Sequence, residues 1–98
     1  MKNVVIVANI KIKPEFKEEV YNELIKLYKN THKNDKGCIY YELHKNLIDE
    51  NSYTFIETWE NQDFLTEHEN KSHFKEFLVN IENKLESVEI NKLEKLSI

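Results

Sequence analysis

A chain of 98 residues makes one small domain, residues 1–98, with a modest core. Charged residues make up 33% and the net charge is −4, with the signs mixed rather than blocked. This excludes the basic stripe that nucleic acid requires. No apolar run approaches the ~20 residues that span a bilayer, so no membrane partner is expected.

The opening strand is read from "VVIVANIKI", Val4 to Ile12, which is β-branched. It begins as a continuous apolar run and becomes an alternation from Ala8, the pattern of a central strand. The stretch is too short and too β-branched for a signal peptide. With the single Cys38, which has no internal disulfide partner, this gives the expectation of a soluble, reduced, cytoplasmic protein.

Pro14 suits a first helical position, and Glu15, Glu18 and Glu19 favour the positive end of a helix dipole. Phe16, Val20, Leu24, Leu27 and Tyr28 then recur at helical spacing, predicting an amphipathic helix over about Glu15 to Asn30. Gly37 punctuates the chain. "CIYYELHK" (Cys38 to Lys45) and "YTFIETWE" (Tyr53 to Glu60) read as two strands joined by the polar turn "NLIDENS". Asn61 is a good N-cap for a short helix over Gln62 to Glu69. Ser72 is placed to cap another, with Phe74, Phe77, Leu78 and Ile81 on its buried face. The closing "LESVEINKLEKLSI" alternates around Val88 and Ile90 and slips phase near Asn91 to Leu93, as a strand with a bulge does.

The order β-α-β-β-α-α-β predicts an α+β ferredoxin-like sandwich, a four-stranded antiparallel sheet with helices on one face. Apolar and β-branched residues occupy both parities of the strands: Ile39, Tyr41 and Leu43 in one, Thr54, Ile56 and Thr58 in the other. Both faces therefore need cover, and a homodimer formed through the sheet faces is the economical way to supply it.

Strand parity also puts Tyr53, Phe55, Glu57 and Trp59 on one face. Glutamate is rarely buried without a partner. The group is either a packed core with a salt-bridged Glu57 or the wall of a small-molecule site. His68 and His73 suggest a metal, but two ligands on one helix want a spacing of three or four, and these are five apart across a helix break. No metal site is expected. His68 alone can accept a proton near neutral pH. Asn9, an amide within an apolar strand, is either satisfied by neighbouring backbone or aimed into a cavity. Cys38 has no adjacent base and reads as a small hydrophobe, and His32 and His44 read as surface residues. With one glycine in the chain, no backbone cradle for phosphate is available.

The segments "ANIKIKPEFKEEVYNEL", "KGCIYYEL" and "YTFIETWENQDFLTEHENKSHFKEF" resemble the antibiotic biosynthesis monooxygenase family, in its small quinol-monooxygenase-like branch. The resemblance implies a dimeric α+β barrel with an apolar pocket between each sheet and its helices. It also implies oxygenation of phenols or quinols without flavin, haem or metal. Related members degrade haem, isomerise a phosphorylated sugar derivative, or have no known activity. On the matching positions, His68, Asn9 and Trp59 are the expected catalytic residues. Glu57, Phe55, His73 and Phe77 are expected to contact a small apolar or aromatic substrate. The haem-ligating position of the haem-degrading branch falls near Leu78, which cannot bind iron, so haem degradation is disfavoured. The expected chemistry is a cofactor-independent monooxygenase in which His68 deprotonates a hydroquinone, Asn9 binds an oxygen of the substrate, and Trp59 stacks on its ring. The alternatives are a non-catalytic dimer that binds a small molecule or serves a stress response, and an isomerase that would need a cationic pocket.

Overall fold

The computed structural model describes residues 2–98. Four strands and three α-helices follow in the expected order: β1 (Val4–Ile12), α1 (Lys17–Asn34), β2 (Cys38–Lys45), β3 (Ser52–Trp59), α2 (Gln62–Glu69), α3 (Ser72–Asn80) and β4 (Leu85–Leu93). The sheet runs β2-β3-β1-β4 with every neighbouring pair antiparallel. The helices lie on one face, which is the ferredoxin-like sandwich read from the sequence.

Helix α1 departs from its expected limits at both ends. Pro14–Phe16 form a separate 3-10 turn, and the α-helix runs one turn further, to Asn34. Proline at the start lacks an N–H to lose and fixes the entry angle. At the far end, the Asp35 N–H donates to Thr31 O at 3.0 Å while the Asp35 backbone turns extended, so the chain leaves the helix there. The apolar stripe Val20, Leu24 and Leu27 is buried against the sheet.

Helix α2 starts as expected, with Asn61 Oδ1 accepting the Phe64 N–H at 3.1 Å. Ser72 does not cap α3. It is the first residue of that helix, and Lys71 precedes it with no side-chain cap. Two irregularities also differ from expectation. The bulge in the β1–β4 ladder falls where Ile12 pairs with Leu85 and Lys11 with Ser87, which leaves Glu86 as the extra residue rather than one near Asn91. A second bulge leaves Ile39 unpaired between Cys38 and Tyr40. Ile39 is therefore exposed and does not share the inner face of Tyr41 and Leu43.

Ile6, Ala8 and Ile10 of β1 pair across the ladder with Glu57, Phe55 and Tyr53 of β3, and this set faces the helices. Val5, Val7, Asn9, Thr54, Ile56 and Thr58 face away on a sheet surface that no helix covers. The last strand, β4, is almost wholly exposed.

Gly37 adopts φ +73°, the left-handed region, and lies so close to α2 that a Cβ there would sit 2.1 Å from Phe64 Cγ. Its carbonyl also accepts the Glu60 N–H at 2.8 Å. The link from α1 to β2 is thus clamped between α2 and the end of β3. Gly37→Ala is expected to lower the unfolding free energy by about 2–4 kcal/mol, from overpacking plus left-handed strain. Urea denaturation checks this, and an unchanged midpoint would mean that Phe64 does not press on the link.

Candidate functional site

The inner sheet face and the three helices enclose an apolar cavity of about 190 Å³. Its walls include Ala8, Phe55, Leu65, Phe74 and Phe77, and Val88 and Ile90 of the exposed β4 stand at its rim. Ile6, Ala8 and Ile10 of β1 all line this hollow, and Ala8 is the smallest of the three. The polar residues that line it are His68, Glu57, Tyr41 and Glu69, and among the described residues no lysine or arginine does. A broader depression of about 410 Å³ lies elsewhere, between α1 and the β2–β3 hairpin, but it is a surface groove and holds none of these groups.

Glu57 is buried, and its Oε1 accepts the Trp59 Nε1–H at 2.9 Å. Alternation along β3 puts both side chains on the same face, two residues apart, which makes this bond local. Burial pushes the Glu57 carboxyl up to about 7, against the pull of the Trp59 N–H, with the charge of Glu69 adding to the rise.

His68 is held on three sides. Its ring packs against Trp59 at 4.6 Å between centroids and edge-on to Phe74 at 4.9 Å. Its Nδ1 meets Asp35 Oδ2. With the Nδ1–H donated to a carboxylate, the lone pair is on Nε2. That Nε2 is buried with no hydrogen-bond partner among the described residues. Burial lowers the pKa of His68, and the hydrogen bond and charge of Asp35 oppose that fall. The result is a neutral imidazole, oriented by a carboxylate, on the wall of an apolar cavity: a general base in form.

Asp35 was missed in the sequence. It lies in a lysine- and asparagine-rich helix end, where an acid reads as solvated, yet its side chain is 1% exposed. Its other oxygen, Oδ1, lies 3.0 Å from His73 Nε2. The five-residue spacing argued against a shared ion for His68 and His73 alone; the fold adds Asp35 and brings ligand-type atoms of all three within 4.8 Å of one another. Oδ2 is hydrogen-bonded to His68, whereas Oδ1 and His73 Nε2 lie within ion-pair distance without forming a hydrogen bond.

The expected site residues divide. His68, Glu57, Phe55 and Phe77 line the cavity together. Trp59 does not: it is fully buried behind them, stacked on His68, with its N–H committed to Glu57. His73 does not line the cavity either: it stands beside His68, 6.4 Å between ring centroids, against the other oxygen of Asp35. Asn9 is on the opposite face of the sheet, exposed, accepting from Thr54 Oγ1 at 2.7 Å and donating to Glu89 at 3.2 Å. Its partners are side chains of the neighbouring strands and not the expected backbone, and the strand alternation that aims Ala8 inward aims Asn9 out. Burial raises the Cys38 thiol to about 11, which leaves it protonated and a poor nucleophile, as its sequence context implied.

The sequence profile of the antibiotic biosynthesis monooxygenase family matches residues 3–79. PA3566 of Pseudomonas aeruginosa has a crystal structure that superposes with a TM-score of 0.91 at 29% identity, covering 99% of this chain and 97% of that one. A conserved protein of Methanosarcina mazei Go1 gives 0.89 at 31% identity, covering 98% and 95%. In Bacillus subtilis (strain 168), the provisionally named monooxygenase YcnE is 29% identical over 75 residues, 76% of this chain and 78% of its own. The uncharacterized protein sll1783 of Synechocystis sp. is 33% identical over 75 residues, and the match takes in 76% of this chain but only half of that protein's length. Among the described residues, no helix is long and apolar enough to cross a membrane.

The raised Glu57 pKa has a consequence for stability. The unfolded chain loses this proton near 4.5, whereas the folded chain keeps it to about 7. Between these values the native state binds more protons, so stability falls as pH rises, by about 3 kcal/mol across the window. Glu57→Gln, which keeps an acceptor for Trp59, is expected to abolish that slope and to be the more stable protein at pH 8. Urea midpoints at pH 5 and pH 8 for both proteins check it.

Proposed function

Because the chain belongs to the antibiotic biosynthesis monooxygenase family, we propose that its cavity oxygenates a small hydroquinone with O2 and needs no cofactor. The observation that carries this reading is the His68 imidazole, which lines the cavity, is oriented by buried Asp35 and has a buried Nε2 with no hydrogen-bond partner. Triplet oxygen reacts poorly with closed-shell molecules, but a phenolate in an apolar site can give it an electron. Hydroquinone and O2 together make hydroxyquinone and water, so the substrate supplies every electron. The protein's work is deprotonation, orientation and exclusion of water.

In this reading His68 Nε2 takes the phenol proton. Glu57 lies on the same wall and, titrating near neutrality, can donate to an oxygen of the substrate or return a proton to the product. Trp59 acts indirectly, as the hydrogen-bond donor to Glu57 and the stacking partner of His68. Phe55, Phe74 and Phe77 offer ring faces and edges to an aromatic guest. A cavity near 190 Å³ suits one ring with small substituents, since a dry cavity of about 150 Å³ accommodates benzene. A larger ring system would extend past Val88 and Ile90 at the rim. The absence of lysine and arginine from the lining disfavours the alternative of a phosphorylated-ketone isomerase.

The uncovered sheet face carries Val5, Val7, Ile56, Tyr40 and Leu93, and a second copy pairing through it would form the barrel that the resemblance implies. Asn9 would then be an interface residue. Light scattering after size exclusion at micromolar concentration is expected to give a dimer, and Val7→Glu a monomer; a monomeric wild-type protein removes this assembly.

Oxygen uptake with a panel of one-ring hydroquinones tests the chemistry. His68→Ala is expected to lose about 100-fold or more in rate, while Asn9→Ala retains the rate of the same assembly. No uptake by the wild-type protein with any member of the panel leaves the non-catalytic binder as the better reading.

A further inference from the structure

The rule that two ligands on one helix stand three or four residues apart does not govern His68 and His73, because they belong to different helices. Asn70 and Lys71 separate α2 from α3, and that break lets both rings reach one carboxylate, that of Asp35. Ligand-type atoms of the three residues lie within 4.8 Å of one another.

The protein alone serves this cluster poorly. The Asp35 side chain is 1% exposed, and among the described residues its ion-pair partners are these two rings, which are cations only when protonated. A buried carboxylate calls for a positive charge. Asp35 Oδ1 and His73 Nε2 are both buried and lack a hydrogen-bond partner among the described residues. They lie 3.0 Å apart, yet the contact is not a hydrogen bond. Buried polar atoms left in this state cost stability unless something else satisfies them. A nitrogen and an oxygen bound to one tetrahedral ion at about 2.0–2.2 Å stand about 3.3 Å apart, each directed at the ion and not at the other. The Asp35–His73 contact has nearly that spacing without hydrogen-bond alignment.

His73 also lines a cleft of about 10 Å³ between α1 and α3, with Glu23, Lys26, Asn30 and Glu76 around it. That is about the room one water needs, so a water there can complete a fourth position. Two imidazoles, one carboxylate and a water suit Zn²⁺ and its transition-metal neighbours. Mg²⁺ and Ca²⁺ prefer oxygen alone.

We propose that Asp35, His68 and His73 bind one zinc-class divalent ion, through a carboxylate oxygen, Nδ1 and Nε2 respectively, and that this ion switches off His68 as a base. The second half rests on the reading of His68 as the base. The Nδ1–H bond of His68 breaks and an Nδ1–metal bond forms. Nε2 takes up a proton from water, so the ring stays neutral, no net proton is released and no electron is transferred. Nε2 then carries a hydrogen and has no lone pair left for a phenol proton. Neither Asp35 nor His73 lines the apolar cavity. The ion therefore sits behind the reacting edge of His68, as an inhibitor and not as a cofactor.

Calorimetric titration of the chelator-treated full chain with Zn²⁺ tests the site. One ion per chain is expected, with excess Mg²⁺ unable to displace it. His73→Gln is expected to weaken binding about 100-fold or more, beyond what loss of an outer partner usually costs. His44→Gln, which removes an exposed histidine outside the cluster, is expected to leave it unchanged. Imidazole nitrogen NMR of the wild-type protein needs no variant. Saturating Zn²⁺ is expected to move the His68 hydrogen from Nδ1 to Nε2. Oxygen uptake with a hydroquinone is expected to fall about 100-fold at saturation and to return on chelation, and uptake by His73→Gln is expected to resist the same Zn²⁺. No stoichiometric binding, or binding that His73→Gln leaves intact, overturns the site. If His73→Gln does not fold, the wild-type NMR decides alone, and His68 and His73 signals that Zn²⁺ leaves in place overturn it. Uptake that survives saturation, or that needs the ion, overturns the switch. Binding with the tautomer change but no uptake by the metal-free protein supports the site and removes the oxygenase reading only.

Discussion

A carboxylate buried between two histidine rings, with no lysine among the described residues to neutralise it, is the constraint around which the helical side of this protein is arranged. Asp35 belongs to the link after α1, His68 to α2 and His73 to α3. Its ion pairs therefore tie three elements at one point. Burying an anion is costly unless its partners are placed well, so the link must be held as firmly as the helices. Gly37 against Phe64, and its carbonyl on the Glu60 N–H, do this within two residues of Asp35. The same anchoring that stabilises the loop orients His68 and leaves its second nitrogen without a hydrogen-bond partner among the described residues.

The two faces of the sheet do different work because side chains alternate along a strand. The inner face puts Ala8, Phe55 and Glu57 against the helices and leaves a hollow where β4 runs beyond their cover. The outer face is β-branched and apolar with polar groups paired among themselves, as Asn9 is with Thr54 and Glu89. A one-residue difference in position separates a cavity residue from an outer-face one: Ala8 from Asn9. The same rule places Glu57 beside Trp59 and lets one hydrogen bond fix both.

Within the cavity, burial acts on two ionisable groups in opposite directions. It raises the carboxyl of Glu57, which becomes charged on losing its proton, and lowers His68, which becomes charged on gaining one. Both groups are thereby brought toward the neutral form near physiological pH. An acid and a base that are each neutral can share an apolar pocket without the desolvation cost of an ion pair, and each remains able to move a proton.

The sequence by itself determined the element order, the α+β sandwich and the family. The order and the sandwich rest on local signals, namely β-branched runs, the helical recurrence of Val20, Leu24 and Leu27, the Asn61 cap, and the turn residues between β2 and β3, whereas the family rests on the resemblance of its motif segments. Parity marked Glu57 and Phe55 and helical spacing marked Phe77, since both are legible wherever the period is unbroken, while His68 was marked by the family resemblance. Bulges break that period, which is why Ile39 and the slip in β4 were misplaced. Asn9 was drawn to the site by its chemistry although its parity sends it outward. Trp59 shared the right face, but depth in a core is set by what packs in front, and His68 and Glu57 stand between it and the hollow. Only the tertiary structure decided that Asp35 is buried. Its local sequence is polar, and its partners are 33 and 38 positions away. A long-range charge contact leaves no periodic trace in a chain, and it exists only once three separate elements have met.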